Sequence, residues 1–214
     1  MNNNMSAMEI AANLRKPIGE KGLKVAELMN KGNATFYNEL YKSVNWEDGM
    51  RVLEIGTGNA KHIPEILSQA NDITYVGVDY SKTMVETAKN NNPNQKFYHQ
   101  DLLKLDLPED SFDLIFSINT VYFLNDLNLM AKNLKKYLSN KGEIHIGKRP
   151  KEDMEKLNEI TQFNFIKYSN EEVILALMEE GLNVLKVTSI KEPEKSLANS
   201  KVSLHSDFII ANGN

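Results

Sequence analysis

Between residues 51 and 148, short apolar runs alternate with stretches of helical periodicity, and that alternation limits the chain to a small set of folds. The runs are RVLEIG (51–56), ITYVGVD (73–79), KFYHQ (96–100), FDLIFSI (112–118) and GEIHIGK (142–148). Helical patterns fall at NAKHIPEILSQA (59–70), at 82–91 and at LNLMAKNLKKYL (127–138). Strands that alternate with helices and read as nearly continuous apolar runs predict a parallel sheet covered on both faces. The fold class expected is therefore α/β: a doubly wound, mostly parallel sheet with helices on both faces.

The flanks are less regular. Residues 1–15 are Asn-rich and weakly patterned, and helices are predicted near 20–31 and 34–44, with Asn33 capping the second. Phe36, Tyr37, Leu40, Tyr41 and Val44 recur there at helical spacing and predict a buried face. After KRPKED (148–153), residues 154–168 read as a helical or irregular insertion. SNEEVILALMEEG (169–181) reads as a helix opened by a Ser169/Glu172 capping box and closed at Gly181. LNVLKVTSI (182–190) and VSLHSDFIIAN (202–212) read as a closing strand pair. No linker or repeat divides the chain, so one domain is expected: a helical lid over 1–45, a sheet core over 46–148, and a substrate-side insertion with closing strands over 149–214.

The chain has no cysteine, which excludes disulfides, thiolate nucleophiles and thiolate metal sites; no metal site is expected. A net charge of −4 gives no reason to expect nucleic acid as a partner. The N-terminus lacks the apolar core of a secretory signal, and the longest uncharged apolar-rich run, 114–125, is too short to span a bilayer. A cytoplasmic protein that binds neither membrane nor nucleic acid is expected.

Ligands of open parallel sheets bind beyond the carboxyl ends of the strands. Here those ends are Glu54–Asn59, Asp79–Tyr80, Asp101–Leu102 and Ser117–Asn119, and three of the four present a carboxylate. The glycine turn after the first strand has no phosphate-holding Lys-Ser or Lys-Thr. Such a site suits a nucleoside-like ligand with hydroxyls to hold and positive charge to balance, rather than a polyphosphate. S-adenosylmethionine has a ribose diol, an adenine, an ammonium and a sulfonium, and no phosphate. Gly56 and Gly58 allow a tight turn and a close backbone approach. Asp79 follows Gly58 by 21 residues, near the spacing at which an acidic residue takes a ribose diol in dinucleotide folds. Pro64 belongs in a first helical turn, so the helix is predicted to begin near Asn59 or Ala60.

With those residues in register, the chain resembles the class I S-adenosylmethionine-dependent methyltransferases. VLEIGTGNA resembles their first motif, VGVDYSKTMVETAK their second, and YHQDLLKLDLPEDSFDLIFSINTVYFL their third and fourth. The resemblance runs from about residue 50 to 148 and more faintly to the end, and with the closing strand pair it implies a Rossmann-like, doubly wound, mostly parallel seven-stranded sheet with an antiparallel C-terminal strand. It implies that Glu54 and the turn Gly56, Thr57, Gly58 and Asn59 lie along the methionine part of the cofactor. It implies that Asp79 takes the ribose, Tyr80 and Met84 flank the adenine, Asp101 holds the adenine amino group, the Leu102 amide meets the ring, and Asn119 lies near the methionine moiety. The chain departs from the pattern twice: Ala60 replaces the usual third glycine, and VYFL stands where a His-His pair is common.

The reaction expected is in-line methyl transfer to a small-molecule acceptor, with alignment as the protein's main task. No catalytic residue declares itself; the candidates are Tyr37, His62 and Tyr122. His62 reads more readily as a solvated surface histidine than as a pocket residue. Tyr37 serves a lid or a core, and Tyr122 lines a pocket or packs against 154–168. Lys148, Arg149 and Lys151 read more readily as a solvated run than as an anion site. Two alternatives stand beside this reading. One is a non-catalytic cofactor-binding protein of the same fold. The other is an NAD-dependent oxidoreductase, which Lys61 at the third position of G-x-G-x-x-G opposes.

Overall fold

Residue period 2 along the central strands decides what lies above and below the sheet. In β1 (Arg51–Ile55), Leu53 and Ile55 join one apolar cluster, while Val52 joins the other and carries Glu54 to the same side. The computed structural model describes residues 5–108, 111–197 and 200–213. β1 is an interior strand, third of seven in the sheet, flanked in parallel by β2 (Thr74–Asp79) and β4 (Phe112–Ile118). β3 (Lys96–His99) extends the sheet beyond β2, and β5 (Leu138–Lys148) extends it beyond β4. β9 (His205–Gly213) runs antiparallel between β5 and the edge strand β6 (Leu182–Lys191), giving the order β3-β2-β1-β4-β5-β9-β6. The expected sheet, with its antiparallel C-terminal strand, is the one observed.

Helices cover both faces. α3 (Ala34–Ser43), α4 (Ile63–Leu67) and α5 (Lys82–Asn91) bury Phe36, Leu40, Ile63, Ile66, Val85 and Ala88 on the Val52 side. α6 (Leu127–Tyr137) and α9 (Asn170–Glu179) bury Met130, Leu134, Val173 and Leu177 on the Leu53 side. The Ser169/Glu172 box closes at both ends, and Gly181 takes a left-handed φ of +70°.

Several local expectations are corrected. The weakly patterned N-terminus contains a helix, α1 (Ala7–Arg15), opened by a Ser6/Glu9 capping box of the same kind as that of α9. It packs against α2 (Gly19–Gly32). Asn33 does not cap α3 through its side chain; its Oδ1 instead accepts from Asn119 Nδ2 at 2.9 Å. The helix after β1 begins at Ile63, not at Asn59 or Ala60, because Gly58 and Ala60 both take left-handed φ, +58° and +57°. Pro64 still falls in its first turn. Ala60 thus occupies a conformation that glycine adopts more cheaply. The insertion resolves into α7 (Lys151–Lys156) and α8 (Asn158–Thr161), and a small hairpin, β7 (Lys195–Leu197) and β8 (Ser200–Val202), precedes β9. Among the described residues no helix is long and apolar enough to cross a membrane.

Candidate active site

A cavity of about 580 Å³ opens over the carboxyl ends of the parallel strands. Its floor runs along the sheet. Asp101 and Leu102 follow β3, Asp79 and Tyr80 follow β2, Gly56 to Asn59 follow β1, Asn119 and Tyr122 follow β4, and Arg149 follows β5. Met84 of α5 is also in the lining. From the other side, α1, α2 and α3 close over it with Leu14, Val25, Met29, Asn30 and Tyr37. The structure therefore brings together all but one of the residues assigned to the cofactor from sequence.

The exception is Glu54. It has no exposed surface and does not line the cavity. Its side chain turns under the glycine turn, toward the helices on the Val52 side. There Oε1 accepts from the Tyr37 hydroxyl at 3.1 Å, and Oε2 accepts from Thr57 Oγ1 at 3.2 Å and from the Tyr75 hydroxyl. Thr57 Oγ1 and Tyr75 Oη are themselves 2.6 Å apart. His62 Nε2 completes the set at 2.6 Å from Oε2. A carboxylate that already accepts hydroxyl protons leaves the imidazole as the donor of this contact. Gly77 makes room for the hub: a Cβ there would stand 2.7 Å from Phe97 and 3.1 Å from the Thr57 methyl.

His62 is accordingly no surface histidine. Its side chain is 11% exposed, its ring stacks on Tyr37 at 4.1 Å, and both line the cavity. Burial, and then the Glu54 charge, push the Tyr37 hydroxyl well above its usual pKa, so it stays a donor. Tyr122 does both things the sequence allowed. It lines the cavity, and its ring lies 6.0 Å from that of Phe165. Its hydroxyl donates to Asn119 Oδ1 at 2.8 Å and accepts from the Arg149 amide. Lys148 and Arg149 are not a solvated run either. Lys148 is fully buried with Nζ 2.8 Å from Asn170 Oδ1, and Arg149 Nη1 is 2.9 Å from Oε1 of buried Glu192.

Three amides of the turn are closed to a phosphate. The amides of Gly56 and Thr57 donate to Val78 O at 2.8 and 3.2 Å, and that of Gly58 donates to Asp79 Oδ2 at 2.9 Å. Nucleotide turns instead leave such N–H groups free at a helix N-terminus. Gly56, with φ of +81°, cannot carry a side chain, since a Cβ would fall 2.2 Å from Thr120 Oγ1. Gly58 faces open space, with nothing within 4 Å of the same point. Asp79 also accepts from the Ser81 amide at 2.7 Å. Even so, burial raises its pKa to about 6. Asp101 holds the Leu103 amide at 3.0 Å. Asn30 Nδ2 is buried without a hydrogen-bond partner among the described residues. Acceptor-rich carboxylates on one half, an unpartnered amide donor and a turn whose Gly56, Thr57 and Gly58 amides are bonded internally fit a nucleoside-bearing, phosphate-free cofactor.

Sequence reasoning missed Tyr75 and Asn30. Tyr75 shares its sheet face with Gly77 and Asp79 by period 2, a signal that was present. Asn30 has none, because its role depends on how α2 meets the sheet.

Residues 53–146 match the methyltransferase domain family. The chain is 30% identical over 120 residues to a malonyl-[acyl-carrier protein] O-methyltransferase of Bacillus anthracis, covering 55% of this chain and 44% of that one. It is 26% identical over 106 residues to a 27-O-demethylrifamycin SV methyltransferase of Amycolatopsis mediterranei, covering 46% and 38%. The chain thus spans less than half the length of these curated relatives. Among solved structures it superposes with a TM-score of 0.77 on a chain of the complex between the Haloferax volcanii Trm112 methyltransferase activator and the putative methyltransferase. That match has 16% identity and covers 94% of this chain and 97% of that one. A putative S-adenosylmethionine-dependent methyltransferase of Listeria monocytogenes gives a TM-score of 0.65 at 15% identity, covering 83% and 97%.

Proposed function

We propose that this chain, whose residues 53–146 match the methyltransferase domain family, is a class I S-adenosylmethionine-dependent methyltransferase that transfers a methyl group to a small-molecule acceptor. The observation that carries this reading is the cavity over the strand ends. It presents two carboxylates after β3 and β2, and the amides of Gly56, Thr57 and Gly58 in its turn are bonded internally. The cofactor would supply an electrophilic methyl on a good leaving group. What remains for the protein is to bind, orient and exclude water.

In this assignment Asp79 accepts from the ribose hydroxyls, Asp101 and the Leu102 amide meet the adenine edge, and Tyr80 and Met84 flank its ring. Gly56, Thr57, Gly58, Asn59 and Asn119 border the methionine part. Glu54 acts from below, as the group that holds Tyr37, Thr57 and His62 in place, and is a positioning residue. Helices α1 to α3 form a lid. Tyr37 and His62, stacked at its inner edge, are the groups nearest the Glu54 hub that could receive or steer a proton from the acceptor. Both relatives named above act on O-acceptors of small or carrier-bound molecules, which supports a small-molecule acceptor here. The absence of cysteine suits a cytoplasmic location, and the acidic balance suits a protein without nucleic-acid partners.

The test is thermal shift with S-adenosylhomocysteine against NAD. A concentration-dependent rise with the first and none with the second is expected. No rise with S-adenosylhomocysteine, or an equal rise with both, contradicts the reading.

A further inference from the structure

The cavity has two chemically different halves, and the second is not needed by the cofactor. Neighbouring strands lie about 4.8 Å apart, so the five strand ends from β3 to β5 span roughly 19 Å. The polar positions, Asp101, Asp79 and the glycine turn, occupy the β3-β2-β1 side. Beyond β4 the wall changes to Phe123, Met154, Leu157, Ile160, Phe165 and Leu204. Leu157, Ile160 and Phe165 are only half-buried although apolar, because they border this space.

The buried polar groups named on this side are already committed, and Asn125 is exposed at the rim. Thr161 donates to Met154 O at 2.6 Å, and the Tyr122 hydroxyl is engaged by Asn119 and Arg149. Arg149 is neutralised by buried Glu192 at 2.9 Å and donates to His205 O at 3.2 Å. The other charged lining residue on this side, Arg15, is exposed at the rim. An anion entering here would lose its hydration without meeting an unpaired buried cation, whereas an apolar body would lose only unfavourable contact with water.

We propose that the methyl acceptor is a neutral, largely apolar molecule whose ring or chain fills this half, with its accepting atom toward Asn119 and Tyr37. The proposal rests on the methyltransferase reading and narrows its substrate class. It sets this site against acceptors that arrive as free carboxylates.

The test uses the full chain saturated with S-adenosylhomocysteine at pH 7.5, titrated calorimetrically with matched probes: 2-naphthol against 2-naphthoate, and octanol against octanoate. In at least one pair the neutral member binds ten-fold or more tightly than its anion. Ile160→Asp and Phe165→Asp each weaken that binding ten-fold or more, while S-adenosylhomocysteine affinity stays within two-fold, which also shows that the variants fold. Anions binding as well as their neutral partners, no probe binding, or both variants leaving the neutral probe unaffected overturns the proposal. Failure of S-adenosylhomocysteine itself to bind is a separate result that removes the methyltransferase reading and this one with it.

Discussion

The imidazole Nε2 of His62 lies 2.6 Å from Oε2 of Glu54, a carboxylate with no solvent exposure. Through that carboxylate four elements meet: β1 supplies Glu54, β2 supplies Tyr75, α3 supplies Tyr37, and the turn into α4 supplies Thr57 and His62. Buried carboxylates are tolerated when fully hydrogen-bonded, and removing their capacity to accept leaves donors stranded.

Glu54→Gln tests the hub. The amide fits the space but turns an NH₂ toward one of the donors. A stability loss on the order of 1–3 kcal/mol is expected by urea denaturation, together with weaker S-adenosylhomocysteine binding. Unchanged stability and affinity would mean that the hub is incidental.

Tyr37→Phe removes one donor and keeps the ring on His62. Glu54 retains its other partners, so the expected stability loss is small, under about 1 kcal/mol. Cofactor affinity or turnover should fall, because the hydroxyl ties α3 to Glu54 beneath the glycine turn. Bound S-adenosylhomocysteine should also protect residues 20–44 from amide exchange more than residues 127–138. Equal protection of both segments would make α2 and α3 plain scaffold.

Asp79 gives the site a pH dependence of definite sign. Burial raises its folded pKa to about 6, above the unfolded value of 3.8. The free protein therefore holds this proton more tightly than the unfolded chain. Its contribution to stability is present below about pH 4 and is lost as pH rises to about 6, a change on the order of 3 kcal/mol. Diol hydroxyls donate to the ionised form, so cofactor affinity runs the opposite way, rising through about pH 6 and levelling above it. Asp79→Asn should flatten both profiles. Affinity that does not change between pH 5 and 7.5 contradicts the role.

Asp101→Asn should weaken S-adenosylhomocysteine binding less than Asp101→Ala, since the amide oxygen can still accept from an adenine amino group and from the Leu103 amide, now held at 3.0 Å. Wild-type affinity in both variants would confine Asp101 to capping its turn.

The sheet and most of the cavity-lining positions are legible in the sequence because they depend on period and spacing. Asp79, Asp101 and Asn119 sit where strands end, and β4 and α5 have the bounds their patterns predicted. What was not legible depends on how elements meet. Glu54 was read as facing the ligand because it lies at a strand end. The period-2 alternation that puts it on the Val52 side, under α3 and α4, decides its contacts instead. His62 and Arg149 looked solvated because nothing local says that Tyr37 will cover one and Glu192 pair with the other. α1 carried a legible capping box, Ser6 with Glu9, masked by the Asn-rich residues before it. The late start of α4 followed from left-handed Ala60, a conformation that an alanine does not advertise.

The most direct test of the account is calorimetric titration of wild type and Asp79→Ala with S-adenosylhomocysteine at pH 7.5. The account predicts saturable one-to-one binding by the wild type and a loss on the order of 1.5–3 kcal/mol in the variant, about ten- to a hundred-fold in affinity, with the fold retained. Wild-type affinity in a folded Asp79→Ala protein, or no binding by either, would contradict it.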